Sequence, residues 1–163
     1  MDRLEDSLKL VEETIERMRS VIGGLRPPVL EDYGLGVALR WYTERFSERT
    51  GVVTLLREEE FSSRLPLAVE TTLFRIVQEV LTNVAKHAQA RQVDIILERM
   101  DGLIQLSISD DGVGFDPKAL RQVKKQPGWG LITIEERAKA LGGHISVESM
   151  PGRGTRVMIQ MPC

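Results

Sequence analysis

The feature that most constrains the fold is a pair of alternating segments that ends in a glycine-rich turn. In VDIILE (93–98) and LIQLSIS (103–109), every second residue is apolar, as in strands with one buried face. Asp101-Gly102 stands between them, and this dipeptide favours a tight hairpin turn. The second segment leads directly into DDGVGF (110–115). The pattern therefore predicts an antiparallel strand pair whose far end carries an acidic, glycine-rich loop.

The rest of the chain predicts helices interspersed with further strands. The expected elements are a helix over 36–50, a strand at VVTLLR (52–57), a helix over 66–88, a helix over 131–141, and a hairpin of HISVES (144–149) with TRVMIQM (155–161). Hairpin-joined strands with helices between them predict a mixed, mostly antiparallel sheet covered by helices on one face. The expected fold class is an α/β two-layer sandwich.

Residues 1–25 have a different period, because their apolar residues alternate at spacings of four and three. This is the a/d seam of a coiled coil, narrower than the apolar stripe of most globular helices. We expect a dimerisation helix, and the alternative is a helix folded back onto the domain. The glycines and prolines that follow would end the helix. The expected division is therefore 1–25 as a dimerisation-type helix, 26–36 as a hinge and 37–163 as the main domain.

Composition narrows the function classes. The net charge of −2 lacks the basic excess of a nucleic-acid-binding domain, so we expect no direct nucleic-acid partner. Cys163 is the single cysteine, which excludes an intrachain disulfide and is consistent with a reducing cytoplasm. The sequence contains no run approaching the roughly 20 apolar residues that cross a bilayer. We expect a cytoplasmic domain, and a membrane anchor elsewhere in a longer parent protein stays open.

Asp110 stands where the second alternating segment ends. It could close an ordinary Asp-Gly turn. Alternatively, its carboxylate could accept a hydrogen bond from the amino group of adenine. Guanine has a carbonyl at that position and would leave the acid unpaired, so such a carboxylate would discriminate between the two bases. Gly112 and Gly114 would let the backbone turn sharply and approach a ligand closely.

The helix segment QEVLTNVAKHA (78–88) places Glu79, Asn83 and His87 four residues apart, along one edge of the helix. The Asn83 amide oxygen is a suitable ligand for Mg²⁺, which binds nucleotide phosphates through few protein ligands. Glu79 could orient or deprotonate a nucleophile. The alternatives are a solvated polar face and, for His87, a structural role. Lys86 lies one turn after Asn83.

Two further glycine motifs follow. GWGL (128–131) opens a helix, and N–H groups at a helix start favour phosphate. The basic stretch before it (118–125) resembles a lid over a polyphosphate, or is a solvated charge run. GRGT (152–155) is first a hairpin turn, with phosphate contact as the alternative. The sequence lacks GxxxxGK[ST], GxSxG and a zinc-spaced Cys/His cluster, which excludes P-loop NTPases and disfavours Ser-His-Asp hydrolases and zinc sites.

In this order and spacing, the motifs resemble the GHKL ATPase superfamily with its Bergerat nucleotide-binding fold. QEVLTNVAKHA resembles the N box, DDGVGF the G1 box, GWGL the G2 box and GRGT the last glycine-threonine segment. Within the superfamily, LRPPVLEDYGLGVAL (25–39), KHAQA (86–90) and ERAKALGG (136–143) resemble sensor histidine kinases of the nitrate-sensor type. The resemblance extends from about Leu25 to Pro162.

The resemblance implies transfer of the ATP γ-phosphate to a histidine, for relay to an aspartate of a response regulator that typically carries a helix-turn-helix output domain. It implies that Asp110 binds adenine, that Asn83 holds Mg²⁺ and that Glu79 is the catalytic residue. It also implies that residues 1–25 are the remnant of the second helix of a dimerisation hairpin, and that the full-length protein forms a homodimer through this heptad helix. The remaining nucleotide-binding positions that it implies are Lys86, His87, Gly112, Gly114, Gly128, Gly130, Leu131 and Thr155.

The chain departs from the family in one respect. The family's phosphoacceptor histidine lies on the first dimerisation helix, whereas the two histidines here are His87, in the N box, and His144, at the start of a strand. We therefore expect ATP binding without autophosphorylation at the usual site. Two alternatives stay open. One is a serine kinase of the same superfamily that acts on an anti-anti-sigma-type partner. The other is a non-catalytic module that binds nucleotide, or only a partner, and regulates by docking.

Overall fold

The computed structural model describes residues 28–59, 64–117 and 129–162. The heptad segment, the basic stretch and Gly128 lie outside these residues. In chain order, the elements are helix α1 (Pro28–Thr50), strand β1 (Val53–Glu58), helix α2 (Leu67–Asn83), a π-helical turn (Val84–Ala88), strands β2 (Gln92–Met100) and β3 (Leu103–Asp110), helix α3 (Trp129–Ala140), and strands β4 (His144–Ser149) and β5 (Thr155–Pro162).

Within the described residues, five strands form one sheet in the order β1-β2-β3-β5-β4. Strand β1 runs parallel to β2, and the other three pairings are antiparallel. Both predicted hairpins, β2–β3 and β4–β5, are present. Because β5 lies between β3 and β4, the second hairpin extends the first into a continuous sheet. The predicted mixed, mostly antiparallel sheet is confirmed.

The core lies on one face of this sheet. Alternate residues of the three central strands point to that face, where they are almost completely buried: Val93, Ile95 and Leu97, Ile104, Leu106 and Ile108, and Val157, Ile159 and Met161. All three helices contribute to the same core cluster. On the opposite face, Glu98, Gln105 and Gln160 form a cross-strand row linked by hydrogen bonds. One buried face and one polar face give the predicted two-layer sandwich.

Helix α1 begins earlier than the pattern predicts. Residues 28–36, expected in a hinge, are helical except for a break at Gly34 (φ 80°, ψ 178°). Leu30 and Leu35 are buried in the core. The predicted helix start near residue 36 is therefore corrected to Pro28: proline is tolerated in the first turn of a helix, and burial of the two leucines stabilises the segment against the domain. A domain boundary close to this point stays a prediction.

Arg64 ties the start of α1 to α2. Its Nη2 donates to the backbone carbonyls of Leu30 at 2.7 Å and Glu31 at 2.8 Å. Its Nε donates to both carboxylate oxygens of Glu70, at 3.3 and 3.2 Å. Glu70 is 2% exposed, so this pair satisfies a carboxylate that lies within the core.

The predicted α-helix to Ala88 is shorter in the structure. Helix α2 ends at Asn83, and a π-helical turn follows over Val84–Ala88. After this turn, Gln89 has a left-handed backbone conformation (φ 52°). The carbonyl groups at the end of a helix lack partners within it, and the Ala88 carbonyl accepts from the backbone N–H of Val113 at 2.8 Å. The end of α2 is thereby joined to the loop after β3. None of the described helices combines the length and apolarity needed to cross a membrane.

Candidate functional site

The inner face of the sheet changes from apolar to polar in its last cross-strand row. The last apolar row, running across β2, β3, β5 and β4, consists of Ile95, Ile108, Val157 and Val147. The next row consists of Val93, Asp110, Thr155 and Ser149. Residues two apart on a strand share a face, so these side chains point to the helix-covered side. We call Asp110, Thr155 and Ser149 the polar row.

Asp110 is held by the backbone on two sides. Its Oδ1 accepts from the N–H of Gly112 at 2.9 Å, and its carboxylate also accepts from the backbone N–H of Thr155. Burial raises the pKa of the Asp110 carboxyl, while the two backbone hydrogen bonds offset part of that rise. A half-buried acid in a fixed orientation is suited to recognise a hydrogen-bond donor on a ligand.

Asp111, the next residue, has a different role. Its Oδ1 accepts from the backbone N–H groups of Arg91 at 2.8 Å and Gln92 at 2.9 Å. These hydrogen bonds, that of Gln92 first, lower the pKa of the Asp111 carboxyl. Asp111 therefore ties the residues at the start of β2 to the end of β3. Sequence reasoning did not assign this role to Asp111, although the strand parity that points Asp110 inward could have indicated it.

The structure explains why both glycines of DDGVGF lack a side chain. A side chain on Gly112 would collide with the Ala88 carbonyl oxygen, so only glycine lets the loop pass the end of α2. Gly114 has a left-handed conformation (φ 59°), and a side chain there would collide with the carbonyl oxygen of Met150. The loop therefore lies between the end of α2 and the β4–β5 turn. The Gly152 N–H donates to the Val113 carbonyl at 2.7 Å, which connects the loop to that turn.

Ser149 is a further polar-row residue that the motifs did not identify. Its Oγ accepts from the backbone N–H of Phe115 at 2.9 Å and donates to the carbonyl of Gly154 at 2.9 Å. The Thr155 hydroxyl lies 3.0 Å from it. Ser149 therefore connects the loop after β3 to the turn before β5. Its position opposite Thr155 in the predicted hairpin was the available signal.

The site residues predicted on this helix lie at its C-terminal end. That end contacts the loop that contains Gly112, which we call the Gly112 loop. Glu79 and Asn83, one α-helical turn apart, are half-buried in its last turns. Lys86 and His87 are exposed on the π-helical turn. Contact between Ala88 and the Gly112 loop connects this polar end of the helix with the strand end that carries Asp110.

Glu79 also lies near a polar cluster between α1 and α2. The hydroxyl of Tyr42 on α1 makes hydrogen bonds with the side chains of Thr82 and Arg49. Burial raises the pKa of Tyr42, the charge of Arg49 opposes the rise, and the charge of Glu79 adds to it. The ring of Tyr42 packs edge-on against Phe74, with centroids 5.6 Å apart. The helix that carries Glu79 and Asn83 is thereby anchored to α1.

The remaining predicted positions lie on other elements. Gly130 and Leu131 belong to the first turn of α3, which begins at Trp129 rather than at residue 131. Thr155 is the first residue of β5 and pairs directly with Asp110. Within the described residues, the structure therefore joins the predicted Asp110, Gly112, Gly114 and Thr155 into one constellation by hydrogen bonds and close contacts.

Comparison with known proteins places this arrangement in a family. The profile of the histidine kinase-, DNA gyrase B- and HSP90-like ATPase family matches residues 68–163. An uncharacterized sensor-like histidine kinase from Chloroflexus aurantiacus is 36% identical over 163 residues, covering 98% of this chain and 27% of that protein. The oxygen sensor histidine kinase NreB from Staphylococcus carnosus is 33% identical over 169 residues, covering 99% of this chain and 47% of that protein.

Full-length ShkA, solved in complex with AMPPNP, has a TM-score of 0.61 and 27% identity, covering 77% of this chain and 29% of that chain. The chain spans less than half the length of the two curated relatives. The matched region includes almost all of α2, the loop after β3 and the β4–β5 hairpin, which together build the site. The chain therefore belongs to the histidine kinase-, DNA gyrase B- and HSP90-like ATPase family, and it is a histidine kinase ATPase domain homologous to sensor histidine kinases.

Proposed function

We propose that this domain binds ATP with adenine against Asp110 and transfers the γ-phosphate to a histidine outside this chain. The observation that carries the proposal is the half-buried Asp110 carboxylate, oriented by backbone N–H groups at the end of the apolar face. Membership of an ATPase family supports ATP as the nucleotide. The structure of ShkA with AMPPNP, an ATP analogue, supports it further.

Adenine selectivity follows from the chemistry of this carboxylate. The adenine amino group can donate a hydrogen bond to the Asp110 carboxylate, which lies half-buried at the end of β3. Guanine would place a carbonyl oxygen against the same carboxylate and leave both acceptors unpaired. A site built around a hydrogen bond rejects analogues that cannot form it far more strongly than an apolar pocket does.

Asn83 and Glu79 would act at the phosphate end. Within the described residues, no three His, Cys, Asp or Glu side chains gather into a metal site. A cation here would instead combine the Asn83 amide oxygen with nucleotide phosphates and water, a ligand set that Mg²⁺ accepts. Mg²⁺ bound there would neutralise charge on the β- and γ-phosphates. Lys86 and His87 would lie near the phosphates, and Gly112 and Gly114 would shape the pocket wall.

Glu79 is proposed as the catalytic residue that orients or deprotonates the acceptor imidazole. A nitrogen of that imidazole attacks the γ-phosphorus, the bond to the β–γ bridging oxygen breaks, and ADP leaves. Gly128 and Gly130 would shape the hinges of the lid, and Leu131 would contribute to nucleotide binding. Thr155 would add a contact near the adenine.

The acceptor and the partners are also proposals. Both histidines of the chain are exposed, His87 on the π-helical turn and His144 at the start of β4, and neither lies on a long helix of a dimerisation hairpin. We assign the acceptor to such a hairpin outside this chain. The names of the relatives support a response regulator as the next recipient, with a helix-turn-helix output domain as the finer expectation. Dimerisation through residues 1–25 and a cytoplasmic location complete the proposal.

Calorimetric titration tests nucleotide binding. The chain is titrated with AMPPNP and with a non-hydrolysable GTP analogue, each with and without Mg²⁺. We expect Mg²⁺-sensitive binding of the adenine nucleotide and at least a hundredfold weaker binding of the guanine nucleotide. Equal affinity for the two nucleotides would rule out the adenine assignment of Asp110, and binding of neither would favour a docking module.

Phosphoryl transfer is tested with a separately produced acceptor hairpin from a histidine kinase relative. The wild-type chain should label this hairpin on histidine, which is recognised by acid-labile phosphate. Glu79→Gln should bind AMPPNP with unchanged affinity and lose about 100-fold or more in transfer rate. Glu98→Gln, on the outer face of β2, is the matched control and should retain transfer. Acid-stable labelling of serine would instead identify the alternative kinase class.

A further inference from the structure

The hydroxyl of Ser149 lies at the centre of three polar contacts. Its Oγ is 2.9 Å from the backbone nitrogen of Phe115, 2.9 Å from the carbonyl oxygen of Gly154 and 3.0 Å from the hydroxyl oxygen of Thr155. All three distances are within the range of good hydrogen bonds. Ser149 is half-buried at the end of β4, where water competes less effectively for these contacts.

The chemistry of the partners determines which way these hydrogen bonds run. A serine hydroxyl has one proton to donate and two lone pairs that accept. The Phe115 N–H can only donate, so it occupies one lone pair. The Gly154 carbonyl can only accept, so it takes the single proton. The lone pair that remains faces Thr155, whose hydroxyl must therefore donate its proton to Ser149.

Because the Thr155 hydroxyl gives its proton to Ser149, its oxygen can only accept hydrogen bonds from a ligand. Thr155 pairs directly with Asp110 across the β3–β5 ladder, and their side chains lie on the same face. The carboxylate of Asp110 also accepts hydrogen bonds. Two neighbouring acceptors match an amino group, which carries two N–H donors, and oppose a carbonyl oxygen.

We propose that Ser149 is a positioning residue that holds the Thr155 hydroxyl in its accepting orientation and thereby increases the preference for a 6-amino purine over a 6-oxo purine. The proposal rests on the proposed function, because it assigns a specificity role within the same nucleotide site. Ser149 acts through Thr155 and the Phe115 backbone. Without Ser149, the Thr155 hydroxyl can rotate and donate to a carbonyl.

The test compares ATP with inosine triphosphate (ITP), which carries a carbonyl in place of the amino group. Binding is measured by calorimetry for the wild type, Ser149→Ala and Ser149→Thr. We expect Ser149→Ala to reduce the ATP-over-ITP affinity ratio about fivefold, the factor of one neutral hydrogen bond. Ser149→Thr keeps the hydroxyl and should restore the ratio. Ser146→Ala, on the outer face of the same strand, is the matched control and should leave it unchanged.

A double-mutant cycle with Thr155→Val tests whether Ser149 acts through Thr155. In that background, Ser149→Ala should have no further effect on the ratio, because the hydroxyl it orients is gone. Hydrogen exchange of the Phe115 amide in the free chain gives an independent readout, and Ser149→Ala should accelerate it. Equal losses of ATP and ITP affinity, or additive effects in the cycle, would reduce Ser149 to a structural tie and overturn the inference.

The two proposals fail differently. If the wild-type chain binds neither nucleotide, the proposed function is wrong and this inference is wrong with it. If the wild type prefers ATP but Ser149→Ala leaves the preference intact, the nucleotide site stands and only the role of Ser149 is overturned.

Discussion

Asp110 and Asp111 are adjacent in the chain, yet their carboxyls occupy opposite electrostatic surroundings. Asp110 follows the inward parity of β3 and is half-buried, and burial raises its pKa. Asp111 is exposed and accepts two backbone hydrogen bonds from the segment before β2, which lower its pKa. The acid that faces the core is destabilised in its charged form and can be stabilised by a ligand, whereas its neighbour is already satisfied by the protein.

Asp110→Asn should abolish adenine recognition while leaving the fold intact. The amide can still accept one hydrogen bond, but it loses the charge that strengthens the bond to the amino group. We expect ATP affinity to fall at least 100-fold by calorimetry, with unchanged circular dichroism. Asp101→Asn, in the turn at the opposite end of β3, is the matched control and should bind ATP normally. A variant that binds ATP as tightly as the wild type would contradict the assignment.

The raised pKa of Asp110 also predicts the sign of a pH effect on stability. The folded state binds the proton more tightly than the unfolded state does, where the pKa is about 3.9. Its contribution is therefore fully present below about pH 4 and is lost as pH rises through the folded pKa. Urea titrations at a series of pH values measure this effect. Above about pH 4, the free energy of unfolding should fall less with rising pH in Asp110→Asn than in the wild type. A larger loss in the variant would show that the sign is wrong.

Asp111→Asn should have the opposite effect. Its folded pKa is lowered, so its contribution is present above the unfolded pKa of about 3.9 and is lost as pH falls through the folded pKa. The variant should be less stable than the wild type at pH 7, and the difference should shrink as the solution is acidified. Urea unfolding midpoints at a series of pH values measure this difference. A constant difference across the series would mean that the Arg91 and Gln92 contacts do not depend on the charge.

Asn83 should determine the Mg²⁺ dependence of nucleotide binding rather than adenine selectivity. Asn83→Ala removes the proposed amide ligand, and we expect the gain in AMPPNP affinity on adding Mg²⁺ to fall about tenfold. The ATP-over-GTP preference, which depends on Asp110, should remain. Gln160→Ala removes an amide from the polar outer face and should change neither quantity. Loss of base selectivity in Asn83→Ala would indicate a disturbed fold instead of a lost metal ligand.

Local patterns predicted the parts of this fold that depend on neighbours in sequence. The strand β4 has the predicted bounds, and the β2–β3 turn follows from Asp101-Gly102. The pairing of β3 with β5 was not predictable, because it joins segments separated by α3 and depends on which sheet edge remains free. The inward direction of Asp110 could be predicted, because Asp110 continues the alternation of Ile104, Leu106 and Ile108 along β3.

Two features of the structure have weak or no local signals. Ser149 resembles any polar residue at a strand end, and its role appears only when the β4–β5 register places it beside Thr155 and the loop brings Phe115 to it. The early start of α1 has a similar cause. Pro28 and Gly34 read as a hinge, but burial of Leu30 and the contacts from Arg64 stabilise a helical turn there. Tertiary contacts override local propensity at both positions.

The Arg64–Glu70 pair should contribute measurably to stability, because Arg64 connects the start of α1 to a buried carboxylate of α2. The Glu70 side chain is 3% exposed and that of Arg64 is 49% exposed, so removing the arginine leaves a buried carboxylate without its cation. Arg64→Met should therefore lower the free energy of unfolding by about 2 kcal/mol, below the full cost of a completely buried pair because water reaches the arginine side. Urea denaturation measures the change.

Glu70→Leu in the Arg64→Met background distinguishes an electrostatic tie from simple packing. If the uncompensated carboxylate causes the loss, the double variant should recover at least half of it, because an apolar group replaces the buried charge. Lys139→Ala breaks the exposed Lys139–Glu135 pair, whose Nζ–Oε1 distance is 2.6 Å, and should cost less than about 0.5 kcal/mol. Failure of the double variant to recover would assign the loss to the bonds between Arg64 and the α1 carbonyls instead.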